Sequence, residues 1–178
     1  MSPVFPASPM SPESLLPAPP PPVVSEDRFR HAMARLPTGV CVVTTTGPDG
    51  PVGCTANAVM SLSLRPPSLL VSLSTASRTL RQILASGAFG VNVLPWSARQ
   101  LAGQFAVGTA AQRFAGVSWE PQHGVPVLSA AAAGMVCEVA DTVRLYDHTL
   151  LAGAVRWTRA DDRAATVLHG EGTYRVGA

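Results

Sequence analysis

A β-branched run, GVCVVTTT (39–46), meets the tetrapeptide GPDG (47–50) and turns back into GCTANAVMSLS (53–63). Gly-Pro-Asp-Gly is turn chemistry, so the two runs are predicted to pair as a hairpin. The pattern recurs down the chain. SLLVSLS (68–74), AFGVNVL (88–94), GMVCEVADTVRLY (134–146), HTLLAGAVRWTRA (148–160) and a last segment ending GTYRV (172–176) read as strands, the final three long enough for a meander. Helical spacings between them are short. They comprise Phe29, Ala32, Met33 and Leu36, with Ser25 as cap and Pro37 as stop; Leu80, Ile83 and Leu84 before Gly87; and SARQLAGQFA (97–106). Residues 107–124 read as a loop. Six or seven strands with few, short helices predict a mostly β chain, a closed barrel with helices plugging its ends.

The 178 residues, 47% apolar and 13% charged, suit one domain with a sizeable core. A net charge of +2 with no basic run argues against a nucleic-acid surface. No apolar run approaches the ~20 residues of a membrane helix. All thirteen cations are arginine, which removes lysine chemistry. Cys41, Cys54 and Cys137 lack CxxC spacing and read as buried free thiols in a reducing, cytoplasmic setting. His31, His123, His148 and His169 have no metal-ligand spacing, so no metal is expected. Residues 1–24 hold more than half of the seventeen prolines without a basic n-region. They read as a disordered polyproline tail ahead of a domain over 25–178.

Two segments invite a ligand. GCTANAVMSLS carries Thr55, Asn57, Ser61 and Ser63 where a barrel strand wants bulk. A strand with small, uncharged side chains leaves its backbone reachable. Taken as one strand, it sets Ala56 and Ala58 on one face and Asn57 on the other. SLSTASRT (72–79) runs from a strand straight into a helix, with Thr75 and Ser77 as rival caps. Free N–H groups, the hydroxyls of Ser77 and Thr79, and Arg78 would converge there on a phosphate. The plainer alternative, capping alone with Arg78 solvated, stays open. No GxSxG, GxxxxGK or HExxH motif is present, and GEGTYR (170–175) lacks the third glycine of a dinucleotide fingerprint.

The segments RHAMARLPTGVCVVTTTGPDGPVGCTANAVMSLSLRPPSLLVSLSTASRT, GAFGVNVL, QRFAGVSW, GVPVLSAAAAGMVCEV, YDHTLLAGAV and GTYRV, in that order, resemble the short-chain flavin reductases. The resemblance runs from about residue 28 to 176. It implies a split β-barrel of the Greek-key, FMN-binding type, forming a homodimer with flavin in a groove near the interface. It further implies NADH or NADPH as hydride donor and FMN or FAD as acceptor. The implied partner is a flavin-dependent monooxygenase component, reached by diffusion of reduced flavin. Thr55, Ala56, Asn57, Ala58 and Ser61 would lie along the isoalloxazine edge and ribityl chain, Thr38 and Gly39 would approach the ring, and Ser77, Arg78 and Thr79 would take the phosphate. His148, in Tyr146-Asp147-His148, would stand by the nicotinamide. Tyrosine replaces the family's glycine there, a costly exchange where φ is positive. No residue is implied as a certain catalytic group. Two rival readings are a flavin-binding module without nicotinamide turnover and an enzyme that keeps its flavin and reduces another acceptor.

Overall fold

The computed structural model describes residues 24–161, 166–170 and 173–176. The proline-rich tail expectation falls on residues 1–23, outside the described ones. The chain divides into two units, residues 1–33 and 34–178. In the first, helix α1 (Glu26–Met33) carries Glu26 and Asp27 in its first turn, and the Ser25 Oγ accepts from the Arg28 N–H at 3.5 Å. Arg30 pairs with Glu26 at 3.1 Å and Asp27 at 3.6 Å, all three exposed and therefore worth little. No residue of α1 is buried, Phe29 and Met33 included.

The second unit begins with β1 (Thr38–Gly39), β2 (Cys41–Gly47), β3 (Gly50–Ala56), β4 (Val59–Leu64) and β5 (Pro67–Ser74). Helix α2 (Arg78–Ser86) leads to β6 (Ala88–Val93), a 3-10 turn at Trp96–Ala98, α3 (Gln100–Ala106) and α4 (Ala110–Phe114). Then come β7 (Trp119–Gln122), β8 (Val125–Leu128), β9 (Ala133–Leu145), β10 (His148–Ala160), β11 (Val167–Gly170) and β12 (Thr173–Val176). Seven antiparallel strands form one sheet in the order β3-β2-β6-β9-β10-β5-β4. Its two edges, β3 and β4, are separated in sequence by Asn57 and Ala58 alone. Three Cα steps reach at most about 11 Å, so the sheet must curl until its edges approach. A chain crossing joins those edges where a hydrogen-bonded ladder would close a full barrel. The barrel is split.

Alternation along β2 explains why the sheet is buried on both faces. Cys41 and Val43 enter a core with Val71, Leu73, Phe89, Val91, Cys137 and Leu151, which α2 closes with Leu80 and Ile83. Val40 and Val42 point the other way, into a second core with Leu94, Leu101, Phe105 and Leu128. Between these layers Asn92 is fully buried and fully used. Its Nδ2 donates to Val42 O at 3.0 Å and Thr44 Oγ1 at 3.1 Å, and its Oδ1 accepts from Leu128 N at 2.8 Å.

Five expectations change. GCTANAVMSLS is not one strand but the end of β3, the crossing, and β4, because closure demands that the chain leave one edge for the other. Ala56 and Ala58 therefore do not share a face: Ala56 lies in the first core at 8% exposure, and Ala58 is exposed. The supposed loop at 107–124 contains α4 and β7, the latter paired with β8. The last strands do not extend a meander from β10, since β11 pairs with β1 and β12. The first helix stops at Met33 instead of reaching Leu36, consistent with the bias against helical geometry ahead of Pro37.

Candidate functional site

Several of the sequence-singled residues gather around the C-terminal end of β5. On one side of that strand, Ser72 N donates to Ala58 O at 2.9 Å. On the other, His148 opposes Ser74 in the β10 ladder. Ser72 and Ser74 lie two residues, about 7 Å, apart. Three residues on, Ser77 caps α2, its Oγ accepting from Leu80 N at 3.4 Å, which decides between the two rival caps. Thr38 and Gly39 form β1 and pair with His169 and Leu168 of β11, in a separate sheet. Cys41 opposes Ala56 as the last β2–β3 pair, where β3 ends and the crossing begins.

Each position offers something different. Asn57 and Ala58 are exposed in the crossing. Thr55 spends its hydroxyl inward, donating to Ala102 O at 2.6 Å, and Ala56 points into the core, so these two can meet a ligand only through backbone. Gly39 has no atom within 4 Å of where a Cβ would stand. Ser61 is exposed on β4 opposite Leu69, three residues before the level of Ser72 and about 10 Å from it. The hydroxyls of Thr38 and Thr79 are buried with no hydrogen-bond partner among the described residues. Buried polar groups are nearly always satisfied, so Thr38 marks a place where a ligand or water completes the structure, whereas the Thr79 hydroxyl has the Cys54 thiol beside it.

The start of α2 adjoins a cleft of about 130 Å³, lined by Gly53, Arg78, Thr79, Arg81, Gln82 and Arg113 among others. Arg113 was not singled out in the sequence as a site residue, although QRFAGVSW is one of the segments carrying the resemblance. It is fixed by backbone: Nη1 donates to Gly53 O at 2.8 Å and Nε to Val107 O at 3.1 Å. Cys54 lies at the same place. Burial pushes its thiol up, opposed by the Thr79 hydroxyl, the Arg113 charge and the Ser77 hydroxyl.

At the other flank, Tyr146 sits at φ 55°, the positive value anticipated for the glycine it replaces. The resulting turn lets Asp147 O accept from Thr75 N at 2.8 Å and sets Asp147 Oδ1 2.9 Å from His148 Nδ1. That hydrogen bond holds the exposed Asp147 carboxyl below its usual range. It also orients an imidazole that is about half exposed.

Residues 33–178 match the model of the Flavin reductase like domain. The chain belongs to that family. Among similar proteins, the Flavin reductase (NADH) of Kitasatospora aureofaciens is 45% identical over 139 residues, covering 76% of this chain and 72% of that one. FMN reductase (NADH) RutF 2 of Methylorubrum extorquens (strain PA1) is 37% identical over 158 residues, covering 88% and 92%. The styrene monooxygenase flavin reductase from Pseudomonas putida S12 superposes with a TM-score of 0.77 at 29% identity, over 85% of this chain and 97% of that one. A flavin suits the residues of this flavin reductase. The Ser77 and Thr79 hydroxyls and the arginine donors at α2 match a phosphate, and the side-chain-poor crossing at Asn57 and Ala58 matches a flat ring. Among the described residues no His, Cys, Asp and Glu cluster could hold a metal, and no helix is long and apolar enough to cross a membrane.

Proposed function

We propose that the protein is an NADH-dependent flavin reductase that reduces FMN or FAD and releases the product to a partner flavin-dependent monooxygenase. The observation that carries this is the convergence, around the end of β5, of an open crossing, an oriented histidine and an anion-seeking helix start. Bound flavin supplies the redox chemistry, accepting a hydride from the nicotinamide. The chain supplies orientation and electrostatics. Backbone N–H groups from Thr55 to Ala58 face the ring edge, Thr38 offers it an unused hydroxyl, and Gly39 leaves it room. Ser77, Arg78 and Thr79 hold the phosphate. His148, steered by Asp147, contacts the nicotinamide and need not give up a proton for hydride to pass.

The test is steady-state kinetics under air, followed by gel filtration after anaerobic reduction. NADH oxidation that saturates with added FMN or FAD, with reduced flavin leaving the protein, is the expected result. Flavin binding without NADH oxidation would make the chain a binding module. Turnover with flavin retained would make it an enzyme serving some other acceptor.

A homodimer and a cytoplasmic location belong to the same proposal. Support for the dimer comes from edge strand β4, where alternate residues Met60, Leu62 and Leu64 all face solvent, Leu64 at 86%. An exposed apolar edge is a natural pairing surface. Sedimentation of a Leu62→Glu, Leu64→Glu variant should give monomers where the wild type gives dimers.

A further inference from the structure

The hairpin joining β9 to β10 has a loop of two residues, Tyr146 and Asp147, closed by the facing pair Leu145 and His148. Only the first loop residue has a positive φ, 55° at Tyr146, which is the pattern of a type II′ turn. Glycine belongs at that position, because a side chain there crowds its own backbone. The other described non-glycine residue with positive φ is His123, of a type enriched in this region, whereas a bulky tyrosine is an outlier. The turn is also pinned. Asp147 O accepts from Thr75 N at 2.8 Å, and Thr149 Oγ1 lies 3.4 Å from Thr75 Oγ1, which ties the loop to the connection after β5. Nothing among the described residues offsets the strain. The Tyr146 ring is 67% exposed, and its side chain makes no hydrogen bond, ion pair or ring contact there.

An exposed aromatic ring, rigidly mounted at a conformational cost, points to a contact outside the chain. Its position says which. Tyr146 directly precedes Asp147, whose Oδ1 stands 2.9 Å from His148 Nδ1, and two Cα steps of at most about 7.6 Å separate Tyr146 from His148. A ligand touching the imidazole therefore lies within reach of the ring, and a flat aromatic side chain suits a flat heterocycle. We propose that Tyr146 stacks on a heterocycle of the nicotinamide dinucleotide and sets how tightly this chain holds NADH. The proposal rests on the reading that His148 contacts the nicotinamide. NADH carries two such rings, nicotinamide and adenine, and both offer the same chemistry. The crossing at Ala58 lies on the opposite side of β5 from the turn, which favours NADH over the flavin as the occupant.

The experiment compares Tyr146→Phe, Tyr146→Asn and Tyr146→Gly with wild type on the full chain. Asparagine and glycine both accept positive φ, so the turn survives while the ring is lost. Calorimetry reads NAD+ binding to protein saturated with FMN. Kinetics read KM and kcat for NADH and for reduced nicotinamide mononucleotide, which lacks the adenine. Tyr146→Asn and Tyr146→Gly should weaken NAD+ and raise the KM for NADH by roughly five- to a hundred-fold, the worth of one aromatic stack, with kcat falling less than KM rises. Tyr146→Phe keeps the ring and should stay within about threefold of wild type. A rise for both donors places the ring on nicotinamide and a rise for NADH alone places it on adenine; either supports the proposal. Both ring-less variants should melt at or above wild type, because the strain is relieved. A lower melting temperature shows that the ring packs the turn and overturns the proposal. Unchanged NAD+ and NADH constants, a loss confined to flavin affinity, or a changed oligomeric state in sedimentation also overturn it. His148→Ala separates this inference from the reading beneath it. A raised KM for NADH there, with none in Tyr146→Gly, overturns the stack alone, and an unchanged KM in His148→Ala removes the nicotinamide reading with it.

Discussion

Ala56 and Ala58 look interchangeable in the sequence and are opposites in the fold. Ala56 fills a core position among Cys41, Val71 and Leu73, whereas Ala58 is exposed in the crossing, its carbonyl tied to Ser72. Ala56→Leu should overpack the barrel at a cost of about 1–3 kcal/mol, read as a lower Tm. Ala58→Leu should leave Tm within a degree or two and cost flavin affinity, because a bulky group then occupies the open crossing. Calorimetry and flavin titration on both variants check this. A melting loss at Ala58, or tight flavin binding by Ala58→Leu, would place the ring elsewhere. Asn57→Ala should weaken flavin only modestly, through one lost polar contact.

Among the elements, β10 shows how tightly the barrel wall is drawn. A Cβ on Gly153 would stand 2.5 Å from Phe89 Cζ and 2.8 Å from Cys137 Cβ, at a position where the β9–β10 register shifts. The Phe89 ring and Cys137 are both fully buried, so neither neighbour has space to retreat. Gly153→Ala is therefore expected to destabilise by about 1–3 kcal/mol, or several degrees in Tm for a chain of this size. Denaturant unfolding measures it, and a change below 0.5 kcal/mol, roughly the size of a neutral surface substitution, would contradict the packing. Helix α2 carries two duties at once. Its buried face closes the core through Leu80 and Ile83, and its opposite side presents Arg78 and Arg81. Substitutions on the exposed side should thus alter binding without altering stability.

For the whole molecule, two measurements follow. Burial pushes the Cys41 thiol from 9.0 up to about 11 and the Cys137 thiol up to about 12. Folding thus favours the protonated thiols, so their contribution is complete below pH 9. It is lost as pH rises through 9 toward 11 and 12, by up to about 1.4 kcal/mol per pH unit for each thiol. Urea unfolding at pH 8 and pH 10.5 should show the decline, and Cys41→Ala should flatten it; a Cys41→Ala slope equal to wild type would refute the assignment. The second measurement is removal of residues 1–24. Their proline-rich composition offers little to bury, so Tm and flavin affinity should stay unchanged. Loss of either would make the tail a docked part of the protein.

Local chemistry determined much of this in advance. Gly-Pro-Asp-Gly made the first hairpin, Ser77 and Gly87 bounded α2, and β-branched alternation marked most of the strands, because turns, caps and pleats are set by neighbours within a few residues. The Tyr146-Asp147-His148 turn was legible for the same reason, down to its positive φ. Tertiary structure alone decided the rest. The break at Asn57 and Ala58 exists because two sheet edges must be bridged, a constraint carried by seven strands together and invisible in an eleven-residue window. Burial of Ala56 follows from that break. Arg113 reaches the α2 cleft only because α4 folds back over β3, sixty residues away in sequence. The cleft beside α2 is a product of long-range closure, which no spacing within SLSTASRT could disclose.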